Sequence, residues 1–257
     1  MGTKERRQRE ISEREQRFLT KAWELILQDG LLNLQMARVA EACDYATGTL
    51  YQHFASKEDL LVAIACVKST LRAALFERAA RWRAPSRDRV FAAIVADMLF
   101  GRHYPDYFRL TQFVTTEVIW GAASSARRQA ALDSCRPIGD AVFCIFRDAV
   151  GAGDLDPRGL SVAELMVGPW TLCSGMHTLV HAEGMLQQYE VRDPYRLLMR
   201  HAHNLFNGYG WRPLFDPADD RALDALVAQI ISELFGDLSR APAERATLAP
   251  ATLAQPL

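Results

Sequence analysis

The chain has 257 residues, 49% of them hydrophobic, so it can bury a core of its own and reads as an ordinary globular protein of one large or two smaller domains. Thirty basic side chains against 31 acidic ones leave a formal net charge of -1, which excludes a polyanion-binding surface spread over the whole protein; any such contact has to come from a local patch. No stretch approaches the ~20 uninterrupted apolar residues of a membrane span, and the charged start lacks the apolar centre of a secretion signal, so a cytoplasmic protein with no membrane partner is expected.

Apolar residues recur at three-to-four spacing almost throughout, and no run alternates as a half-buried strand does; the fold class is all-α. Lys4, Arg6, Arg7 and Arg9 form a basic patch at the start, which suits either a solvated helix face or an arm that seeks phosphate or the minor groove. Phe18, Ala22, Leu25 and Ile26 share one face of a first helix, with Gly30 where a left-handed cap belongs. A short second helix spans about Gln35 to Ala42. Ser56 has the character of an N-cap, with Glu58 and Asp59 in the first turn, and the stripe Leu60, Leu61, Ile64, Val67, Leu71 and Leu75 predicts one long helix to about Trp82. Helices over 88–100, 105–120, 124–135 and 137–150 follow, Pro105 and Pro137 taking first-turn or kink positions. Asp156-Pro157, Asp193-Pro194 and Asp216-Pro217 each pair a capping carboxylate with a proline preset for a first turn, and three helices are expected to open there; Gly168-Pro169 should kink or restart the first of them. Residues 237–257 lack periodicity and are expected to be a disordered tail. The five cysteines, Cys43, Cys66, Cys135, Cys144 and Cys173, are scattered without a CxxC pair, as reduced core thiols would be.

The stretch DYATGTLYQHFASKEDL, residues 44–60, is poorly suited to stability alone. Gly48 costs a helix ~1 kcal/mol against alanine, and threonines crowd it. Leu50 and Phe54, at i and i+4, can hold this weak helix inward, which turns Thr47, Gly48, Tyr51 and Gln52 outward. An outward set of this kind suits DNA: Gly48 permits close approach, Tyr51 and His53 can bond phosphate, and Thr47, Thr49 and Gln52 can reach base edges. Lys57 sits in the first turn of the next helix, where a cation opposes the dipole unless an anion lies nearby. The second helix, a turn at Cys43 to Tyr45 and this short helix compose a helix-turn-helix.

Residues 18–61 resemble the DNA-binding domain of the TetR family of bacterial transcriptional regulators. The likeness is carried by Phe18-Leu19, Ala22, Leu25-Ile26, Gly30, Val39-Ala40, Gly48-Thr49-Leu50-Tyr51-Gln52-His53-Phe54, Ser56-Lys57-Glu58 and Leu60-Leu61. It implies a symmetric all-helical homodimer: a three-helix DNA-binding domain over 10–56, joined by a long helix to a larger ligand-binding and dimerisation domain over 57–236. It also implies that Thr47, Gly48 and Thr49 meet bases or sugars while Tyr51, His53 and Lys57 hold phosphates; Gln35 and Gln52 are further candidate DNA contacts. Two positions depart from the family pattern, Asp44 for glycine in the turn and Ala46 for a serine cap. Asp44 tolerates a left-handed backbone, and it or Thr47 could supply the capping oxygen.

In the larger half, Trp170-Thr171-Leu172-Cys173-Ser174-Gly175-Met176 is similar to a Trp-x-x-x-His-Gly stretch of one group of these domains, with Ser174 in place of the histidine. This helix and the one opening at Pro194 are candidates for a dimeric four-helix bundle, with Trp170, Gly175, Met176 and Leu179 in or near it; a monomeric core would use the same residues. Phe113, Thr116, Trp120, Phe143, Phe146 and His177 are candidates for an apolar or aromatic small-molecule pocket. His177 and His181 stand at i and i+4, but without a cysteine or carboxylate at ligand spacing no metal or other cofactor is expected. GxSxG, P-loop, HExxH and dinucleotide fingerprints are absent, and Gly151-Ala152-Gly153 lacks a third glycine, so no enzyme is expected. The expected function is a ligand-responsive regulator, a repressor binding a pseudo-palindromic double-stranded operator; the alternative is a DNA-bound interaction protein with no inducer.

Overall fold

In the computed structural model, which describes residues 3–240, every regular element is helical among the described residues. They run α1 Thr3–Asp29, α2 Met36–Ala42, α3 Thr47–Tyr51, α4 Lys57–Cys66, α5 Ser69–Arg81, α6 Ser86–His103, α7 Pro105–Val114, α8 Glu117–Ala122, α9 Ser125–Ala152, α10 Val162–His181, α11 Pro194–Gly208, α12 Asp220–Leu234 and α13 Gly236–Arg240. α13 occupies the first residues of the expected tail, whose remainder lies outside the described residues. Two compact units emerge: the residues up to Leu71 with Asp106–Ser134, and Arg72–Pro105 with the described residues from Cys135 onward.

In the first unit, Phe18, Ala22, Leu50, Phe54, Leu60 and Leu61 are all fully buried and make the core of the small helices. Gly30 leaves α1 at φ 88°, a conformation that costs glycine nothing, and its N–H still bonds the Ile26 carbonyl. Ser56 caps α4 by accepting the Asp59 N–H at 3.1 Å. The Asp59 carboxylate, itself buried, in turn accepts from the N–H and hydroxyl of Ser124 at 2.7 and 2.9 Å.

The long helix expected from Ser56 to Trp82 is two helices. The Tyr107 hydroxyl enters the backbone ladder at the break: it donates to the Ala65 carbonyl and accepts the Lys68 N–H at 2.8 Å, while Ser69 donates to the Cys66 carbonyl at 2.7 Å. A side chain inserted into the i→i−4 ladder is a recognised cause of such a break. The helix expected over 105–120 also divides. Thr115 and Thr116 bond the carbonyls of Gln112 and Phe113 with their own hydroxyls, and Thr116 goes extended to start α8. Conversely, the helices expected on either side of Pro137 are one, α9, because a proline removes a single hydrogen bond and no left-handed residue stands there to end the helix.

The second unit is built around α6, which is buried on nearly every side from Ser86 to His103 and packs against α10, α11, α12 and α13. Of the three Asp-Pro pairs, only Asp193-Pro194 opens a helix, Asp193 accepting the Arg196 N–H at 3.0 Å. Asp156 and Asp216 instead close two-residue turns onto the N–H groups of Arg158 and Ala218. The helices start later, at the capping box of Ser161 with Glu164 and at the Asp219 cap. Gly168-Pro169 neither stops nor restarts α10. Pro169 cannot donate to the Leu165 carbonyl, and the Tyr209 hydroxyl donates to it instead at 3.3 Å; a Cβ on Gly168 would stand 2.0 Å from that hydroxyl. Of the cysteines, Cys43 and Cys173 are core residues, Cys66 and Cys144 are half-buried, and Cys135 is exposed, so the expectation of five core thiols is corrected at the last.

Candidate nucleic-acid interface

α2 and α3 are joined by four residues, in which Asp44 adopts the left-handed conformation at φ 60°. Ala46 occupies the N-cap of α3 and has no side-chain cap; the Asp44 carboxylate pairs with Arg17, 3.0 Å away, so the missing capping oxygen is not made good in the way expected. Leu50 and Phe54 are fully buried and anchor α3 to the core. Residues around them on α2 and α3 turn toward solvent to different degrees. Gly48 and Gln52 are exposed, Tyr51 is 50% exposed, Thr47 and Thr49 are half-buried, and Gln35 is exposed at the N-cap of α2. A Cβ on Gly48 would meet nothing within 4 Å, so the protein's own packing does not require a glycine there.

His53 is half-buried, edge-on to Phe18 with ring centroids 5.4 Å apart; burial pushes its pKa below 6.5 and favours the neutral imidazole. Its carbonyl accepts from Arg127 at 3.3 Å, and the same guanidinium lies over the Phe54 ring and 3.5 Å from Glu15. The start of α9 thereby grips the end of α3. Lys57 donates to the Leu32 carbonyl at 2.9 Å, leaving two ammonium protons for another acceptor.

Sequence reasoning passed over three residues at this face. Arg14 and Arg17 lie over the Tyr45 ring at 5.3 and 5.8 Å, and Tyr45 packs edge-on against Phe18. The i, i+3 spacing of the arginines was a usable signal; the aromatic platform between them was not, because it stands across the turn. Upstream, Lys4, Arg6, Arg7 and Arg9 are exposed on the first turns of α1, with Arg6 bonded to Glu10.

The candidate pocket residues are divided. Phe113, Thr116 and Trp120 lie in the first unit, where the Thr116 hydroxyl donates to the Phe113 carbonyl and the Trp120 carbonyl accepts from Arg128. Phe143, Phe146 and His177 lie in the second. Phe146 is fully buried against Trp211, Phe143 is 41% exposed, and His177 is buried between Asp97 and Tyr195. Two open grooves in the second unit involve none of the six: one of about 300 Å³ between α5 and α9, lined by Ala80, Arg81, Pro137 and Cys144 among others, and one of about 460 Å³ between α10 and α11, lined by Gly168, Thr171, Leu172, His201 and Leu205. On α10, Trp170 is 71% exposed, Gly175 and Leu179 are exposed, and Met176 is buried. No group of three His, Cys, Asp or Glu side chains positioned for a metal occurs among the described residues, and no helix there is long and apolar enough to cross a membrane.

Residues 18–64 match the family described as bacterial regulatory proteins, tetR family. No curated protein matches the chain in sequence. Among solved structures it is similar to the TetR family regulator PfmR from Thermus thermophilus, with 17% identity and a TM-score of 0.54 over 74% of this chain and 97% of that one. It is likewise similar to the regulator FadR from Bacillus subtilis in complex with stearoyl-CoA, with 17% identity and a TM-score of 0.56 over 75% and 98%. A third is SmeT, the repressor of the Stenotrophomonas maltophilia multidrug efflux pump SmeDEF, with 18% identity and a TM-score of 0.54 over 79% and 94%. At that identity the likeness establishes the fold, and the match over 18–64 establishes the reading head. With α2, the turn and α3 presenting an outward face that no internal packing explains, residues 18–64 form a DNA-binding domain of the kind found in bacterial regulatory proteins of the tetR family, and the chain as a whole shares the fold of such regulators.

Proposed function

We propose that the protein is a repressor that binds a pseudo-palindromic operator as a homodimer and is released by a small molecule. The observation that carries the DNA-binding half is Gly48: exposed, unconstrained by neighbours and flanked by Tyr51 and Gln52, it is where a duplex can come close. Two copies of α3 would enter successive major grooves about 34 to 36 Å apart or somewhat more. The exposed apolar pair Val167 and Trp170, at i and i+3 on α10, marks the surface we assign to the second copy, together with α11. An effector that binds better when the two reading heads are wrongly spaced would release the operator by its differential affinity. An electrophoretic shift with the DNA upstream of the protein's own gene tests the reading; equal affinity for that DNA and for unrelated competitor would refute it.

Phosphate and base roles should separate. Lys57→Ala is expected to weaken binding on every sequence and lower the slope of log affinity against log salt by about 0.9, whereas Gln52→Ala should leave the slope and relax base choice at one position by about 1–3 kcal/mol. Titrations across a salt series on operator and scrambled duplexes measure both, and identical behaviour of the two variants would contradict the assignment.

The burial of Phe146 against Trp211 and the engagement of His177 favour a second reading, in which the C-terminal half recruits another protein and takes no inducer. Thermal-shift measurements with stearoyl-CoA and a panel of aromatic compounds distinguish the two. A shift coupled to loss of DNA supports the inducible repressor, and no shift with any of them supports the second reading.

A further inference from the structure

The turn that precedes α3 carries a carboxylate where DNA would supply phosphates. Asp44 is 89% exposed at its side chain and holds a left-handed backbone that glycine would adopt without strain. Its carboxylate lies 3.0 Å from the Arg17 guanidinium, which is 49% exposed. Arg17 and Arg14 both lie over the Tyr45 ring, so one aromatic side chain holds two cations next to the turn. An aromatic platform of this kind fixes guanidinium planes without neutralising them. The anion that Arg17 finds in this arrangement is Asp44.

We infer that Asp44 is an internal competitor for the DNA backbone: it occupies Arg17 in the free protein, and a phosphodiester must displace it before Arg14 and Arg17 can clamp the duplex beside the turn. The inference rests on the DNA-binding reading above and adds to it the clamp and its competitor. An exposed ion pair is worth little and opens readily. Once opened, however, the carboxylate stays beside the duplex and repels it. Asp44 therefore lowers affinity for all sequences alike, and most strongly at low salt, where exposed charges interact over the longest range.

The test uses the full chain and mixed-sequence duplex DNA, with affinities measured by fluorescence anisotropy from low to high salt. Asp44→Asn keeps the size of the side chain and its tolerance of a left-handed backbone; it is expected to tighten binding about threefold to fivefold at low salt, with the gain fading as salt rises. Asp44→Gly removes the backbone constraint as well and should give at least the same gain. Arg17→Ala should reduce the salt slope by about 0.9 and, combined with Asp44→Asn, should remove the part of the gain that comes from freeing Arg17 while leaving the part that comes from relieved repulsion. If the wild type binds and Lys57→Ala lowers its slope, yet Asp44→Asn and Asp44→Gly leave affinity and slope unchanged, the competitor is refuted while the DNA-binding reading stands. If the wild type does not bind duplex DNA at any salt, both fall together.

Discussion

Lowering the pH from 6.5 to about 3 should cost the folded protein about 4 kcal/mol through one imidazole. His203 is fully buried, stacked on Phe215 at 3.9 Å and packed against Phe91, and the Arg87 guanidinium lies 3.4 Å from its Nδ1. Burial first, and the Arg87 charge second, push its pKa from 6.5 down to about 3. The unfolded chain takes up this proton near pH 6.5 and the folded chain does not until about 3, so stability is complete above 6.5 and falls by about 1.4 kcal/mol for each pH unit below it. Arg87 cannot relieve the conflict by leaving. Though fully buried and with its own pKa pressed down to about 10 by burial, it donates to the carbonyls of Trp211 and His203 and to the Asn207 side chain at 2.8, 3.1 and 2.8 Å, pinning the start of α6 to the end of α11. His203→Phe keeps the stacking and removes the titration. Urea unfolding at half-unit pH intervals should give the wild type a steep acid limb starting near 6.5 and the variant a much shallower one, left by His53, whose pKa burial also lowers. Parallel curves would show that the imidazole can be protonated in place.

The reading head was legible in the sequence because its demands conflict with helix stability. Gly48 among threonines, and Leu50 with Phe54 as the two inward anchors, cannot be explained by propensity, and the structure buries and exposes them as the spacing requires. Caps written locally were legible too, at Ser56 and Asp193. What could not be read were features set by distant partners. The break after Cys66 depends on Tyr107, 39 residues beyond Lys68, and the passage of α10 through Pro169 depends on Tyr209, 44 residues beyond Leu165. The candidate pocket suffered most. Aromatic residues at helical spacing serve a packed core as well as a cavity, and Phe146, a pocket candidate by that spacing, is closed against Trp211. Arg127 left no mark in the sequence at all, since its hold on the His53 carbonyl is made across 74 residues.

Asp97→Asn should destabilise the protein by about 3 kcal/mol at neutral pH and should do so progressively less in strong acid. The Asp97 carboxylate joins four helices. Arg72 of α5 donates to its Oδ1 from Nε and Nη2 at 2.9 and 2.6 Å, and His177 of α10 approaches Oδ2 with Nε2 at 3.3 Å. The Nδ1 of His177 meets the Tyr195 hydroxyl of α11 at 3.2 Å, and Arg102 of α6 stacks over the Tyr195 ring at 4.8 Å. Burial alone would raise the carboxyl's pKa; the charge of Arg72 and the hydrogen bonds from His177 and Arg72 overcome it and bring it from 3.8 to about 2. A carboxyl depressed in this way contributes stability that is whole above about pH 4 and is lost as the pH falls toward 2, about 2 kcal/mol in all. This window lies below most of the range over which His203 acts, so the two limbs can be resolved in one titration. His203→Phe should remove most of the upper limb and leave the lower, and Asp97→Asn should remove the lower and leave the upper. The asparagine still accepts from Arg72 but no longer balances its charge, so a variant as stable as the wild type at about pH 7 would mean that solvent reaches Arg72 freely enough to make the ion pair irrelevant.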